Sequence, residues 1–210
     1  MSSCSSGSLS SCSSNGSDEL FEFVTKNVRR AGKHKKAMFI CGAAGTGKTS
    51  SRSKFMKDAD ITSSYVYLNP DNLGGNQTLL TSLMTRCIKE SYSFVFDATC
   101  RNKNYISSVM GKIHEAGYKI ILFMTYASLG TALDRVKKRL SQPVPAPVVR
   151  DIYQHMKKNA ETYMKLSFVD DLYLYNNEHT SKLIFERSKK GIKCVVPGEE
   201  FYFDVSKYCP

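Results

Sequence analysis

The sequence has no apolar run that approaches the ~20 residues of a membrane span. Its opening residues also lack the hydrophobic core of a secretory signal. Both absences point to a soluble, cytoplasmic chain with no membrane partner. Cysteine pairing motifs are missing too. The seven cysteines, at 4, 12, 41, 87, 100, 194 and 209, include no C-x-x-C pair and no Cys/His cluster. That excludes the usual zinc spacings and favours reduced thiols over a disulfide framework. Acid is scarce, with 19 Asp and Glu against 30 Lys and Arg and a net charge of +11. The basic clusters Lys33-His34-Lys35-Lys36, Lys137-Lys138-Arg139 and Lys189-Lys190 are scattered and form no single stripe. A site that holds several phosphates accounts for the charge at least as well as a nucleic-acid partner, which is the less favoured reading. With 210 residues the chain is too short for a two-core motor and suits one α/β domain with a tail.

What is present is a phosphate-binding motif. Gly42-Ala43-Ala44-Gly45-Thr46-Gly47-Lys48-Thr49 fits G-x-x-x-x-G-K-[ST] at each fixed position. Ala37–Cys41 before it reads as a buried strand, and Ser50–Lys57 after it as a helix. In that context the glycines aim backbone N–H groups at phosphate oxygens, and the helix N-terminus adds its dipole. Lys48 suits the β- and γ-phosphates and the Thr49 hydroxyl suits Mg²⁺, so ATP with Mg²⁺ is the expected cofactor.

The rest of the chain alternates strands and helices. Strands are expected at Tyr65–Leu68, Phe94–Asp97, Lys119–Thr125, 171–176 and 182–186. Helices are expected at Asp18–Arg30, Gln77–Glu90, Asn102–Ala116, along Leu129, Leu133, Val136 and Leu140, and after the prolines at 143, 145 and 147. The Ser-rich residues 1–17 read as a disordered tail, 18–36 as a helix and basic linker, 37–190 as the kinase domain and 191–210 as a weakly patterned β-like extension. The fold class is α/β: a P-loop NTPase fold with a mostly parallel sheet, helices on both faces and a small kinase-like lid. Ligands of such sheets bind beyond the carboxyl ends of the strands. The 42–49 loop, Asp71 and Asp97 all fall on that edge.

A kinase needs a base for the acceptor hydroxyl and cations against the migrating phosphoryl group. Asp71, in Asn-Pro-Asp after the second strand, is the candidate base. Asp97 has two readings, a Walker B acid for Mg²⁺ or a group that holds the acceptor. Thr99 and Arg101 follow it on the same loop. Arg135 and Arg139, four apart on one helix, are candidate lid cations.

Together these residues resemble the zeta-toxin kinases. The resemblance rests on Gly42 to Ser53, the Asn-Pro-Asp turn, the acid-x-Thr-x-Arg loop at 97–101, Gly117-Tyr118-Lys119, the Arg135/Arg139 helix and Asp171–Asn177, and spans about residues 37–190. It implies transfer of the ATP γ-phosphate to a hydroxyl of a small nucleotide-containing acceptor, UDP-N-acetylglucosamine in the family. It implies Asp71 as base, Lys48 on the phosphates, Thr49 at Mg²⁺, and Asp97, Thr99 and Arg101 at the acceptor. Arg135 would serve as lid cation, Ser50 would extend the phosphate cradle and Asn177 would lie near adenine. An antitoxin-like protein partner is also implied. The sequence departs from the family at Asp97, one methylene shorter than the usual Glu, and at Gln142, where a second lid arginine is expected. Two rival readings stay open: a polynucleotide 5′-hydroxyl kinase and an ATP-binding interaction module without catalysis.

Overall fold

The computed structural model describes residues 9–59, 61, 64–139, 143–195 and 199–210. Seven strands form one sheet in the order β2-β3-β1-β4-β5-β6-β7. They are β1 (Lys36–Cys41), β2 (Val66–Leu68), β3 (Phe94–Ala98), β4 (Lys119–Tyr126), β5 (Asp171–Asn176), β6 (Lys182–Ser188) and β7 (Gly191–Cys194). The first five run parallel and the last two pair antiparallel.

The near-continuous apolar runs follow from burial on both faces. Met38 and Ile40 of β1 point into one core with Val95, Ile121, Phe123, Tyr173 and Tyr175. Phe39 and Cys41 point into the other, with Phe94, Phe96, Leu122 and Met124. The first core is closed by α2 (Lys48–Asp58), whose Phe55 stacks on Phe123 with ring centroids 5.3 Å apart. The second face carries α1 (Leu9–Thr25), α3 (Gln77–Lys89), α4 (Lys103–Glu115) and α6 (Ala146–Met164). The remaining helix, α5 (Leu129–Lys137), lies over the phosphate loop, where Val136 and Val149 pack on Ala44. Among the described residues no helix is long and apolar enough to cross a membrane.

The chain leaves β1 for one side of the sheet and later returns to its other side at β4, so the loop after β1 sits where strand order reverses. Crevices open at such switch points. Asn76, Asn102 and Ser128 cap α3, α4 and α5 by accepting from Leu79 N, Tyr105 N and Thr131 N.

Several expectations need correction. The first helix starts at Leu9, inside the Ser-rich stretch expected to be disordered, and ends at Thr25, not Arg30. Buried Phe21 anchors this helix, and extending an anchored helix costs far less than nucleating one. At its end the Thr25 hydroxyl donates to Phe21 O at 2.7 Å. Residues 1–8, Leu140 and Gln142 lie outside the described residues. The expected β-like extension is strand only to Cys194; of the described residues beyond it, none is strand and Val205–Tyr208 form a 3₁₀ turn. Reduced thiols were expected, yet Cys41 is bonded to Cys100 and Cys194 to Cys209. These partners lie 59 and 15 residues apart in sequence; the pairing of β1 with β3 brings the first two together, and the C-terminal 3₁₀ turn carries Cys209 to the end of β7. Cys87 is buried and free.

Candidate active site

The phosphate loop is built by exclusion of side chains. A Cβ on Gly42 would overlap the Thr125 hydroxyl, and one on Gly45 would overlap the Ala132 carbonyl. Gly45 and Gly47 adopt φ of +85° and +84°, where glycine alone is unstrained. Four distant groups then fix the loop. Thr46 Oγ1 donates to Ala43 O at 2.8 Å and bonds Thr125 Oγ1 at 2.8 Å. Asn177 Nδ2 donates to Thr46 O at 2.7 Å. Arg135 donates to Gly45 O at 3.4 Å and to Glu178 O at 2.8 Å. The Tyr202 hydroxyl accepts from Ala43 N at 3.3 Å.

The Lys48 ammonium donates to Gly42 O at 2.7 Å and Ala43 O at 3.0 Å. Desolvation lowers its proton affinity; Asp97 raises it, Arg139 lowers it further and Asp71 raises it. Those three groups share its cleft of about 1020 Å³ with Thr49, Ser50, Arg52, Tyr67, Thr99 and Arg101. Two expected groups lie elsewhere. Arg135 is spent on the two carbonyls above, and Asn177 is buried with its amide turned onto the loop. Of the two lid arginines, Arg139 is the one in the cleft.

The walls of the cleft are fixed by residues that carry no local motif. Tyr67 donates to Asp97 Oδ2 at 2.5 Å, and the Arg52 guanidinium lies 4.3 Å from the centre of its ring. The tyrosine pKa is raised, first by burial and then by Asp97, so it stays a donor. The 98–101 loop is tied to the root of the phosphate loop by the Cys41–Cys100 disulfide. From α6, Tyr163 donates to Cys100 O and Asn159 to Arg101 O, each at 2.7 Å. Arg101 itself pairs with Asp151 at 3.3 Å.

Glu178 ties α5 to the end of β5. Its carboxylate accepts from Ser128 N at 2.5 Å, Ser128 Oγ at 2.8 Å and Thr131 Oγ1 at 2.5 Å. Burial pushes its pKa up, but Thr131, Ser128 and Arg135 together bring it net below the usual carboxylate value. The stabilisation is therefore complete above the unfolded-state pKa of about 4.3 and is lost as pH falls through the lower folded-state value. Glu178→Gln should cost about 1–2 kcal/mol near neutrality, the worth of a charge-assisted bond at a half-exposed site. Melting curves of both proteins across acid pH should converge at the acid end; a constant gap would contradict this account.

The donors available to a magnesium ion are the exposed Thr49 hydroxyl and Asp97 Oδ1, which has no protein donor among the described residues. No group of three or more His, Cys, Asp or Glu gathers among the described residues. An oxygen-only set this small fits Mg²⁺ held mainly by phosphate and water, not by a protein cage.

Comparison with known proteins bears on the fold and the family. A zeta toxin family model matches residues 75–189. No curated protein matches the sequence. Among solved structures, a chain of the PezAT chromosomal toxin–antitoxin system of Streptococcus pneumoniae aligns at TM-score 0.62 and 14% identity, over 84% of this chain and 81% of that one. A chain of the AvrRxo1-ORF1:-ORF2 complex with ATP aligns at 0.65 and 14%, over 92% and 76%. A chain of the Pnkp1/Rnl/Hen1 RNA repair complex aligns at 0.50 and 16%, over 66% and 48%. The structural likenesses carry the P-loop kinase fold, and the family match spans more than half of the sequence. The chain belongs to the zeta toxin family, nucleotide-dependent P-loop kinases.

Proposed function

We propose that this protein transfers the γ-phosphate of ATP to a hydroxyl of a small nucleotide-containing acceptor. One observation carries the reading: Lys48, Asp71, Asp97, Thr99, Arg101 and Arg139 line a single cleft with the phosphate loop. Loop amides and Lys48 bind the phosphates, and Arg139 offsets charge on the moving group. Asp71 is exposed on a 3₁₀ turn (Asp71–Leu73) held by Asn69, whose Oδ1 accepts from Asp71 N at 2.7 Å. From there its carboxylate takes the acceptor proton while the acceptor oxygen bonds the γ-phosphorus and ADP leaves. Thr99 and Arg101 orient the acceptor. Thr49 and Asp97 would hold Mg²⁺, which neutralises phosphate charge when bound.

The test is ADP release from Mg-ATP by the wild-type and Lys48→Ala proteins, with UDP-N-acetylglucosamine, related nucleotides and a 5′-hydroxyl oligonucleotide as acceptors. Acceptor-stimulated release that falls at least about 100-fold in Lys48→Ala supports the reading. ATP binding that no acceptor turns into ADP release removes it in favour of a non-catalytic module.

The net charge of +11 favours the polynucleotide acceptor as the second reading. Oligonucleotide binding whose affinity falls steeply with salt would support it. Likeness to a chain of the PezAT toxin–antitoxin system supports an antitoxin-type protein partner.

A further inference from the structure

The family match stops at residue 189, yet residues 199–210 return to the phosphate loop. The segment is held at several points. Asn176 Nδ2 donates to Glu199 Oε2 at 2.9 Å and Glu200 O at 3.1 Å. Tyr208 donates to Glu161 Oε1 at 2.5 Å, and Cys209 closes the disulfide to Cys194. Between these ties, Phe201 and Tyr202 are buried against Tyr126, whose ring centre lies 5.8 Å from the first and 5.2 Å from the second. Tyr153 packs on Tyr202 at 5.5 Å. This aromatic packing carries the Tyr202 hydroxyl to the fully buried Ala43, where it accepts the backbone N–H.

That N–H belongs to the same peptide unit as the Gly42 carbonyl, which accepts from the Lys48 ammonium at 2.7 Å. One rigid plane is thus gripped on both sides, by Tyr202 at its nitrogen and by Lys48 at its oxygen. Rotation of this plane would move the seat of the lysine and tilt the amides that follow. The Ala43 amide has no other partner among the described residues, so without the phenol a buried donor is orphaned and the plane is free to turn.

We infer that Tyr202 is a positioning residue for ATP and that the 199–210 segment, beyond the stretch that the family model matches, is part of the nucleotide site. The inference rests on the ATP reading above. It concerns Lys48 and the loop, not the acceptor wall.

Tyr202→Phe in the full chain keeps the ring packing and removes only the hydroxyl. The dissociation constant for Mg-ATP should rise about tenfold, while the acceptor KM stays at the wild-type value. A tether that merely stabilised the fold would lower the melting temperature and leave ATP affinity alone. An ATP affinity within about twofold of wild type overturns the inference, whatever the melting temperature does. Lys48→Ala separates the two readings. If it weakens ATP binding and Tyr202→Phe does not, only the role of Tyr202 falls. If the wild-type protein binds no ATP, both fall.

Discussion

Asp71→Asn is expected to lower kcat about 10²–10⁴-fold while ATP affinity stays at the wild-type level. The substitution keeps size and shape and removes the proton acceptor. Its structural cost should be negligible, because the side chain is exposed and the turn is held through the Asp71 backbone amide, not the carboxylate. Steady-state turnover with a saturating acceptor, together with calorimetric ATP binding, separates the two effects. A drop in kcat at constant ATP affinity places the residue at the transferred proton. Unchanged kcat would remove Asp71 as the base and pass the role to Asp97, the other carboxylate of the cleft.

Gly42→Ala should damage both the fold and the nucleotide site. The added methyl group would overlap Thr125 Oγ1, lie 2.7 Å from Thr46 Oγ1 and lie 2.9 Å from the Thr125 carbonyl oxygen. A side chain can rotate away, but the carbonyl belongs to β4 in the middle of the sheet and cannot. The loop must shift instead, at a cost of about 1–3 kcal/mol or more for overpacking. The Thr46–Thr125 and Thr46–Ala43 bonds would go with it. Melting temperature and ATP binding should fall together, and Gly42→Ala/Thr125→Ala should not restore either, since the backbone contact survives. Recovery of ATP binding in the double variant would show that the loop tolerates the shift.

The parts of this site that were legible in the sequence are those fixed by neighbours in the chain. The Walker loop, its strand and its helix are contiguous, so the glycine pattern and the apolar run before it disclose them together. Asp71 and Asp97 were legible because the ends of parallel strands share one edge. The two candidate lid arginines were not separable: helical four-residue spacing would put both on one face. But α5 ends at Lys137, so Arg139 lies beyond it, while Arg135 inside it is engaged with the Gly45 and Glu178 carbonyls. Asn177 was expected near a base, but Gly47 leaves no Cβ between it and the loop, and its amide settles on Thr46. Tyr67 gave no signal, since a tyrosine in a strand is ordinarily core. Its partner Asp97 is 30 residues away. The disulfides were hidden for the same reason. Pairing of β1 with β3, not sequence spacing, brings Cys41 and Cys100 within 5.3 Å at Cα.

Strand order has a consequence for synthesis. β1 is made early but is flanked by β3 and β4, so one of its edges stays unpaired until β3 has emerged and the other until residues beyond 119 have emerged. Even then the phosphate loop is incomplete, because two of its restraints come from Asn177 and Tyr202, 131 and 159 residues downstream of the groups they hold. At roughly 5–20 residues per second, many seconds separate translation of the Walker motif from arrival of those side chains. The nascent chain carries its glycine-rich loop early, while the geometry that grips a triphosphate comes last. Catalytic competence is therefore timed to the end of translation of this segment, and a ribosome stalled before Tyr202 would display the motif without its full grip on nucleotide.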